Sequence, residues 1–433
     1  MNTKTATAVL DKQSSNTTLS PQDKLASLED TIVLFDGTVY PSTPNASGAE
    51  IMAEKLQQVD PLKASETFLR EVEGDFAFVI AEPERVIAGR DPVGVQPLYY
   101  GENRTVAALA SNRKALWTLG IEKPLSFPPG HLALVSRDGF KFKPVKTLAY
   151  SEPKQVTMQD AAATLQELLE QAVRVRVSDV RDVAVAFSGG LDSSVVVFLA
   201  KKCQVNVHLV HVSMEDQTET EEARKAADAL GLPLQVYLFG EDDVERVVPK
   251  VVELIEEPDP IKASIGVPFY WAAEKTSAAG LTVMLAGQGA DELFGGYQRY
   301  VSEYLLHGEE AVRKAMFSDV VGIHESNLER DMKICGFHGV ELRVPFGAYQ
   351  IAEFAMSLPV ELKIEKRADT LRKLVLRKAA ENMGLPTSVT EKTKKAVQYS
   401  TGINNALKKI AKKQKTTLSE YIKKLFLNQT TQN

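Results

Sequence analysis

Residues 183–194, Val-Ala-Val-Ala-Phe-Ser-Gly-Gly-Leu-Asp-Ser-Ser, join a short apolar run to a glycine turn. Val183–Phe187 has the length and β-branched content of a buried strand, and an apolar helical pattern begins after Asp192. Backbone N–H groups in a glycine turn at a helix N-terminus bind anions, and the helix dipole adds positive potential. The stretch therefore predicts a phosphate site, with three serine hydroxyls as donors and Asp192 as a ligand for a metal ion that bridges phosphates.

A Gly-Gly pair after a strand is, taken alone, more often a plain turn. The whole string Ser188–Ser194 is more specific. It lacks the Gly-Lys-Ser/Thr sequence of a Walker loop, so the turn itself supplies no phosphate-gripping lysine. The string resembles the pyrophosphate loop of the ATP pyrophosphatase superfamily, whose members cleave ATP between the α and β phosphates. The resemblance implies an enzyme that adenylates its substrate.

Composition indicates a soluble protein of several domains. The chain has 433 residues, 44% of them hydrophobic and 25% charged, which is too long for one ordinary core. A net charge of −6 provides no basic field for nucleic acid, and no apolar run reaches the roughly 18 residues that cross a bilayer. The two cysteines, Cys203 and Cys335, argue against a disulfide framework, so we expect a cytoplasmic protein.

Pattern changes divide the chain into three regions. Residues 1–30 are polar and are predicted to be a mobile tail. Residues 31–150 contain two helical patterns and several short strands, the first of which is predicted to turn at Asp36-Gly37. This region is predicted to be a small layered α+β domain, and Pro144–Pro153 is predicted to be the linker that follows it.

Residues 151–433 are predicted to form an α/β domain. After a long amphipathic helix, strands at Val183–Phe187, Val205–Val212, Leu234–Phe239 and Leu281–Ala286 alternate with helices, one of them at Pro268–Ala279. Such alternation predicts a doubly wound, mostly parallel sheet. Beyond Gly295 the pattern is mostly helical, and the lysine-rich tail after residue 403 is predicted to form one or two amphipathic helices that do not bind RNA.

A second glycine turn follows the strand Leu281–Ala286. It reads Gly-Gln-Gly-Ala-Asp-Glu-Leu-Phe-Gly-Gly-Tyr over residues 287–297. Open α/β sheets bind ligands at this carboxyl edge. Taken alone, Asp291 is a carboxylate at a helix N-terminus. Together with Asp192, it predicts a site for a magnesium ion that also contacts triphosphate oxygens.

Three motifs occur in the order and spacing of the synthetase domain of asparagine synthetase, which the chain resembles from about residue 30 to 401. They are Ser188–Ser194, Gly287–Tyr297 and Gly339–Phe346. In that family ATP adenylates the aspartate side chain, and ammonia then displaces AMP. The resemblance implies a ligase that uses ATP, Mg²⁺, aspartate and ammonia. One alternative is an amide- or lactam-forming ligase for a different carboxylate, and another is an inactive scaffold, against which the intact Asp192 and Asp291 argue.

The resemblance also implies a set of site residues. Those expected to bind the nucleotide are Phe187, Ser188, Gly189, Gly190, Asp192, Ser193, Ser194, Val212, Ala286 and Gly287. Asp192 and Asp291 would hold magnesium, while Lys262 and Lys395, with Lys394 as the alternative to Lys395, would contact phosphates. For Lys262 a solvated surface lysine is the other interpretation.

Gln288 departs from the family pattern, because many members have glutamate at this position near the acyl-adenylate. An amide does not accept a proton as a carboxylate does. Either Gln288 only positions the substrate by hydrogen bonds, or the acceptor carboxylate or the amine differs from that of the family.

The front domain resembles the later part of a class II glutaminase domain through Asp36–Tyr40, Val72–Phe78 and Gly89–Tyr100. That domain uses an N-terminal cysteine as its nucleophile, whereas position 2 here is Asn and no cysteine precedes residue 203. The chain is therefore not expected to hydrolyse glutamine, and Arg90 and Asp91 are expected to be structural.

A truncated domain is expected to leave an apolar face uncovered. One hypothesis is that a separate glutaminase subunit covers this face and supplies ammonia. The alternative is an ammonia-dependent enzyme with a remnant scaffold domain. A homo-oligomer is also expected.

Overall fold

The computed structural model describes residues 5–28, 31–42, 46–57, 59–83, 85–215, 217–367, 371–392 and 402–430. Two compact units divide the chain, Asn2–Leu148 and Ala149–Asn433. No helix of the described residues is long and apolar enough to cross a membrane.

The first unit consists of two antiparallel sheets and short helices. Its strands are β1 (Thr7–Asp11), β2 (Thr17–Ser20), β3 (Leu25–Leu28), β4 (Thr31–Tyr40), β5 (Glu73–Ala81), β6 (Val86–Arg90), β7 (Tyr99–Glu102), β8 (Val106–Ala110), β9 (Leu125–Ser126), β10 (His131–Ser136) and β11 (Gly139–Pro144). Its α-helices are α1 (Gly48–Leu56), α2 (Pro61–Glu71) and α3 (Arg113–Thr118).

The two sheets pack face to face in a layered core. Their strand orders are β2-β1-β8-β7-β9 and β11-β10-β6-β5-β4-β3. Leu10, Val79 and Leu109 belong to the apolar cluster between them, whereas Met52 and Phe68 of the helices α1 and α2 pack on the other face of the second sheet. The predicted layered α+β fold is confirmed.

Residues 7–28 are part of this core, so the prediction of a mobile polar tail at residues 1–30 is wrong for them. Strand β1 pairs with β8 from Thr7↔Ala110 to Asp11↔Val106, and its alternate residues Ala8 and Leu10 are 2% exposed. The strand signal was weak because polar Thr7 and Asp11 flank Val9 on one face of this short strand, and small Ala8 lies on the other. These added strands bury the apolar face that was expected to be uncovered, so that expectation is also wrong.

Two further local predictions in the first unit have opposite outcomes. The turn predicted at Asp36-Gly37 is wrong, because β4 continues through it and pairs with β5 as far as Tyr40↔Glu73. Arg90 and Asp91 are fully buried, and their side chains hold the following loop: the Asp91 carboxylate accepts the Gly94 N–H at 2.7 Å, and Arg90 donates to the Gly94 carbonyl at 2.7 Å. Such contacts fit the structural role predicted for both residues.

The second unit is built on a parallel sheet surrounded by helices. Its strands are β12 (Asp182–Ala186), β13 (Asn206–Met214), β14 (Leu234–Phe239), β15 (Val283–Leu285) and β16 (Glu341–Arg343). Its described α-helices are α4 (Met158–Arg176), α5 (Leu191–Lys202), α6 (Thr218–Leu230), α7 (Glu241–Ile255), α8 (Pro260–Ala278), α9 (Ala290–Phe294), α10 (Gln298–His307), α11 (Glu309–Val321), α12 (Glu329–Phe337), α13 (Tyr349–Ser357), α14 (Leu374–Met383), α15 (Thr387–Thr390), α16 (Ile403–Lys413) and α17 (Leu418–Thr430).

The strand order β14-β13-β12-β15-β16 places β12 at the centre, and every pairing in this sheet is parallel. The order reverses beside β12, so the turns after β12 and β15 lie next to each other at the carboxyl edge, where ligands bind in such folds. The predicted doubly wound parallel sheet is confirmed.

Helix α8 begins at Pro260, eight residues before the predicted start. The Asp259 side chain caps its first turn by accepting the Ile261 N–H at 2.7 Å and the Lys262 N–H at 2.9 Å. Proline at the first helical position needs no N–H partner, whereas Pro268 lies inside the helix. The prediction took Pro268 for a helix start and missed the aspartate cap.

Candidate active site

The first turn of the site joins β12 to α5. The Phe187 N–H still donates to the Val210 carbonyl at 2.9 Å, which keeps the chain in line with the sheet. Gly190 then caps α5 without a side-chain hydrogen bond. Because the first amides of a helix have no partner within the helix, this N-terminus can bind an anion.

Serine hydroxyls surround the same turn. Ser188 Oγ lies 3.2 Å from Ser193 Oγ and accepts the Gly190 N–H at 3.3 Å. Ser194 is fully buried, and its Oγ has no hydrogen-bond partner among the described residues. A buried hydroxyl without a partner is costly. The turn therefore offers both backbone and side-chain donors to a phosphate.

The second turn, after β15, packs directly against the first. The Ala286 N–H donates to the Arg343 carbonyl of β16 at 3.2 Å. A Cβ at Gly287 would lie 2.8 Å from Cβ of Asp192 and 3.0 Å from N of Ser193. Glycine is therefore required at position 287, because any side chain there would push the two turns apart.

One buried lysine joins the two predicted metal ligands. Lys373 Nζ lies 2.5 and 2.6 Å from the two carboxylate oxygens of Asp192 and 2.7 Å from Oδ1 of Asp291. The Lys373 side chain is 2% exposed, and those of Asp192 and Asp291 are 14% and 17% exposed. Three carboxylate oxygens therefore converge on a single cation.

The backbone conformation at residue 373 and the glycine at 296 allow this lysine to reach the two carboxylates. Lys373 has φ +61° immediately before α14, a left-handed conformation that costs a residue with a side chain about 1 kcal/mol or more. A Cβ at Gly296 would lie 1.8 Å from Oδ1 of Asp291 and 2.4 Å from Cε of Lys373. The glycine after α9 therefore leaves the space that the ion cluster occupies.

Sequence reasoning missed Lys373. It stands in the segment Leu-Arg-Lys-Leu-Val-Leu, residues 371–376, where it is one of several basic residues and belongs to no recognised motif. The one available signal was a lysine at the start of an apolar helical pattern, and that signal is shared by many surface lysines.

A second cation lies beside the first turn. Lys392 Nζ donates to the Gly189 carbonyl at 3.2 Å and pairs with the Glu222 carboxylate of α6 at 3.0 Å. Arg377 of α14 holds the Lys392 backbone, because its Nη2 donates to the Lys392 carbonyl at 2.8 Å. Lys392 thus places positive charge at the predicted phosphate turn.

The lysines predicted from sequence have different outcomes. Lys394 and Lys395 lie outside the described residues. Lys262 lies in the first turn of α8, where its Nζ pairs with the Glu257 carboxylate at 2.5 Å. Among the ion pairs of the described chain it contacts neither Asp192 nor Asp291, so the structure does not bring it into the carboxylate cluster. Its role at phosphates stays a prediction.

Three of the predicted nucleotide residues lie on or after strands of the sheet. Phe187 and Ala286 are each 2% exposed, while Val212 is half-buried near the carboxyl end of β13, opposite Tyr237 of β14. Beside them, Nδ1–H of His211 donates to the Phe187 carbonyl at 2.9 Å. Burial lowers the pKa of His211, so it is neutral at physiological pH.

Gln288 is held by a buried ion pair on α12. Its Nε2 lies 2.5 Å from Oδ2 of Asp331. Arg330 donates to both oxygens of the same carboxylate, from Nε at 2.7 Å and from Nη2 at 2.9 Å. Burial raises the pKa of Asp331, and the Arg330 guanidinium opposes that shift. Sequence reasoning singled out Gln288 but missed Asp331.

Glu292 forms another buried cluster next to Asp291. Its Oε1 accepts from the Tyr297 hydroxyl and from Nδ2 of Asn327, both at 2.6 Å. Burial raises the pKa of Glu292, and the neighbouring Asp291 adds to the rise. These contacts anchor α9, which carries Asp291, to the helices that follow it.

Comparison with known proteins identifies the family of this chain. The asparagine synthase family model matches residues 164–310 and 302–432, more than half of the chain, and a glutamine amidotransferase domain model matches residues 41–118.

The chain belongs to the asparagine synthase family. A putative asparagine synthetase [glutamine-hydrolyzing] 1 from Methanocaldococcus jannaschii is 33% identical over 393 residues, covering 80% of this chain and 72% of the relative. The resemblance stated from the three motifs is thereby confirmed, and so is the prediction of a ligase of the asparagine synthetase type.

Two more distant asparagine synthase relatives extend the comparison. A probable asparagine synthetase [glutamine-hydrolyzing] from Dictyostelium discoideum is 27% identical over 375 residues, covering 78% of this chain and 64% of the relative. Asparagine synthetase [glutamine-hydrolyzing] 2 from Arabidopsis thaliana is 29% identical over 360 residues, covering 78% and 60%. The chain thus spans less than two thirds of the length of these two relatives.

Proposed function

We propose that this asparagine synthase family member converts aspartate to asparagine. ATP would activate the side-chain carboxylate as an acyl-adenylate, and ammonia would displace AMP. The observation that carries the proposal is the convergence of Asp192 and Asp291 on one cation beside the open N-terminus of α5. A cation site next to an anion site is the arrangement that a metal-bound triphosphate requires.

The residues of the two turns divide the work of binding ATP. The α5 amides and the hydroxyls of Ser188, Ser193 and Ser194 would bind phosphate oxygens. Lys373 and Lys392 would neutralise the pyrophosphate as it leaves, because transfer at phosphorus is mostly positioning and charge neutralisation.

Asp192 and Asp291 fit a magnesium ion, since three of their oxygens already share one cation. When bound there, the ion would neutralise charge on the triphosphate oxygens. The Lys373 ammonium occupies the same place among these oxygens, so it would move toward the phosphates when magnesium and ATP bind. Phe187, Val212, Ala286 and Gly287 would line the nucleotide, as the family resemblance implies.

Ammonia, either free or supplied by a separate glutaminase subunit, is the nitrogen source in this proposal. Residues 1–202 contain no cysteine, so the first unit has no thiol for the nucleophilic chemistry of a class II glutaminase. Cys335, which lies in the second unit, is fully buried. Cytoplasmic location, homo-oligomerisation and the absence of nucleic-acid binding stay predictions.

A ligase for a different carboxylate is the second candidate function. The observation that favours it is the amide at position 288, where many asparagine synthetases have a carboxylate. In this candidate the adenylation chemistry of the two turns would be unchanged. The two candidates differ only in which carboxylate triggers pyrophosphate exchange.

Carboxylate-dependent exchange of labelled pyrophosphate into ATP, with Mg²⁺ present, tests both candidates. We expect exchange with aspartate and, when ammonium is added, equimolar asparagine and AMP. Glutamine in place of ammonium should yield no asparagine from the isolated chain. Exchange with another carboxylate and none with aspartate would establish the second candidate, while exchange with neither would refute both.

Two variants check the assigned roles in the same assay. Asp192→Asn should abolish exchange, because the turn loses a metal ligand. Lys392→Met should reduce exchange at least tenfold. Lys378→Met should leave it unchanged, because the ion pair of this half-buried α14 lysine within the described residues is with Glu381. Full exchange by Asp192→Asn would contradict the proposed metal site.

A further inference from the structure

The side-chain amide of Gln288 has a fixed orientation. Asp331 is fully buried, and Arg330 is 2% exposed. Because Arg330 donates to both oxygens of Asp331, this carboxylate is an ionised acceptor and has no proton to donate. The Gln288 group that faces it at 2.5 Å must therefore be the NH₂ group.

The carbonyl oxygen of Gln288 consequently points away from the ion pair. Gln288 is half-buried, and its Oε1 has no hydrogen-bond partner among the described residues. An amide carbonyl has two lone pairs and accepts N–H donors. The Arg330–Asp331 pair thus fixes the Gln288 amide, with its NH₂ group on the buried carboxylate and its carbonyl oxygen without a partner in the part of the chain that the structure describes.

Gln288 belongs to the second turn of the proposed site. Gln288 directly follows Gly287, which packs against Asp192, and precedes Asp291 by three positions. The acyl-adenylate would form beside these two aspartates, so ammonia would attack it near this turn. An N–H of the attacking molecule is the donor that the free oxygen would take.

We propose that Asp331 is a positioning residue that, through Gln288, presents a neutral oxygen acceptor to the attacking ammonia. The inference rests on the proposed function, which it deepens. One N–H of ammonia donates to Oε1 of Gln288, and the nitrogen lone pair attacks the acyl carbon. The new C–N bond replaces the C–O bond to AMP, which leaves with its electron pair. The surplus proton passes to water or to the AMP phosphate, because an amide oxygen is too weak a base to keep it.

In this proposal Gln288 has a role of its own, although many relatives have glutamate at this position. A carboxylate is present in the same network, 43 residues later in the chain, and it contacts the amide from the buried side. The carboxylate orients the acceptor, and the amide makes the contact with ammonia. Because Gln288 and Asp331 act together, the effects of substituting them on the reaction with ammonia should not be additive.

The test compares two half-reactions in the full chain. ATP–pyrophosphate exchange reports adenylation, and asparagine formation at varied ammonium reports the attack by ammonia. Asp331→Asn presents both a donor and an acceptor, so it no longer selects one orientation of the Gln288 amide. Gln288→Leu removes the acceptor while leaving the buried ion pair intact. For both variants we expect the KM for ammonium to rise about tenfold, the effect of losing one hydrogen bond, and exchange to stay within about twofold of the unchanged chain.

The double variant Gln288→Glu with Asp331→Asn exchanges the two groups. Asparagine at 331 can donate to a glutamate at 288, so an oriented acceptor is restored. We expect its KM for ammonium to return to within about threefold of that of the unchanged chain. This rescue separates positioning from folding, since a purely structural role would alter both half-reactions together.

Three outcomes would overturn the inference. They are an unchanged KM for ammonium in Gln288→Leu, an equal loss of exchange and amidation in both single variants, and a double variant no better than Asp331→Asn. Failure of the proposed function is distinguishable from these, because it would show as no aspartate-dependent exchange in the unchanged chain.

Discussion

Replacing Lys373 by methionine tests the ion cluster most directly. Methionine keeps much of the length and volume of lysine but removes the ammonium that Asp192 and Asp291 share at 2.5–2.7 Å. The variant leaves two largely buried carboxylates facing each other without the ammonium that they share. Breaking a buried ion pair by removing one partner costs about 3–5 kcal/mol. We therefore expect the unfolding free energy of the second unit to fall by about that amount.

Fluorescence can follow this unit by itself. The chain has two tryptophans, Trp117 in the first unit and Trp271 in the second. Trp271 is 1% exposed, so urea unfolding in a Trp117→Phe background reports the unit that holds the cluster. Lys378→Met is the matched control, since the Lys378–Glu381 pair at 3.2 Å is 39% and 45% exposed and should contribute less than about 1 kcal/mol.

Two further measurements separate charge from packing. The double variant Lys373→Met with Asp291→Asn removes one carboxylate as well, so it should unfold at a higher urea concentration than Lys373→Met alone. Without the ammonium, Asp192 and Asp291 should also bind Mg²⁺ more tightly in the absence of ATP, which calorimetry would detect. Unfolding of Lys373→Met within about 0.5 kcal/mol of Lys378→Met would refute the reasoning, because exposed pairs contribute that little.

Two other substitutions test the space left by Gly296 and the charge of the buried Lys363. Gly296→Ala would place a Cβ 1.8 Å from the Asp291 carboxylate, so pyrophosphate exchange should fall at least tenfold. The control is Gly240→Ala, whose Cβ would have its nearest contact at 3.8 Å and which should retain exchange. Equal exchange rates in the two variants would contradict the prediction. Burial lowers the pKa of Lys363 from 10.5 to about 7. Between these pH values the unfolded chain binds a proton that the folded chain has lost, so the free energy of unfolding rises with pH. In urea unfolding, Lys363→Met should therefore stabilise the second unit by up to about 5 kcal/mol at pH 6 and by little near pH 10. An equal gain at both pH values would count against this assignment.

Local patterns determined the architecture of the second unit. The predicted strand Leu234–Phe239 coincides with β14, and Val183–Phe187 extends β12 by only one residue at its end. Val183–Val185 of the central strand β12 are buried, so this apolar run is continuous and easy to recognise. Strand β14 is a partly exposed edge strand, and its aromatic and β-branched residues indicated it instead. The two glycine turns were predictable as well, because each directly follows a predicted strand, Val183–Phe187 or Leu281–Ala286.

Strands in the first 30 residues could not be predicted in the same way. Strand β1 buries only alternate side chains, of which Ala8 is small, and it pairs with β8 about a hundred residues later. The burial that makes this segment a strand is supplied by a distant partner. A short half-polar segment carries too little signal of its own to indicate that partner.

By itself, the sequence determined the family, the parallel sheet and the two carboxylates that face each other across its central turns. Only the tertiary structure decided what those carboxylates contact. Lys373 reaches Asp192 from 181 positions away, and Asp331 of helix α12 reaches Gln288 in the turn after β15. Charges separated this widely along the chain leave no periodic pattern, because their pairing depends on where the helices pack. The sequence of the turn at Ser188–Ser194 therefore predicts a phosphate site. The cations Lys373 and Lys392 and the acceptor Gln288 are brought to it only by the tertiary structure.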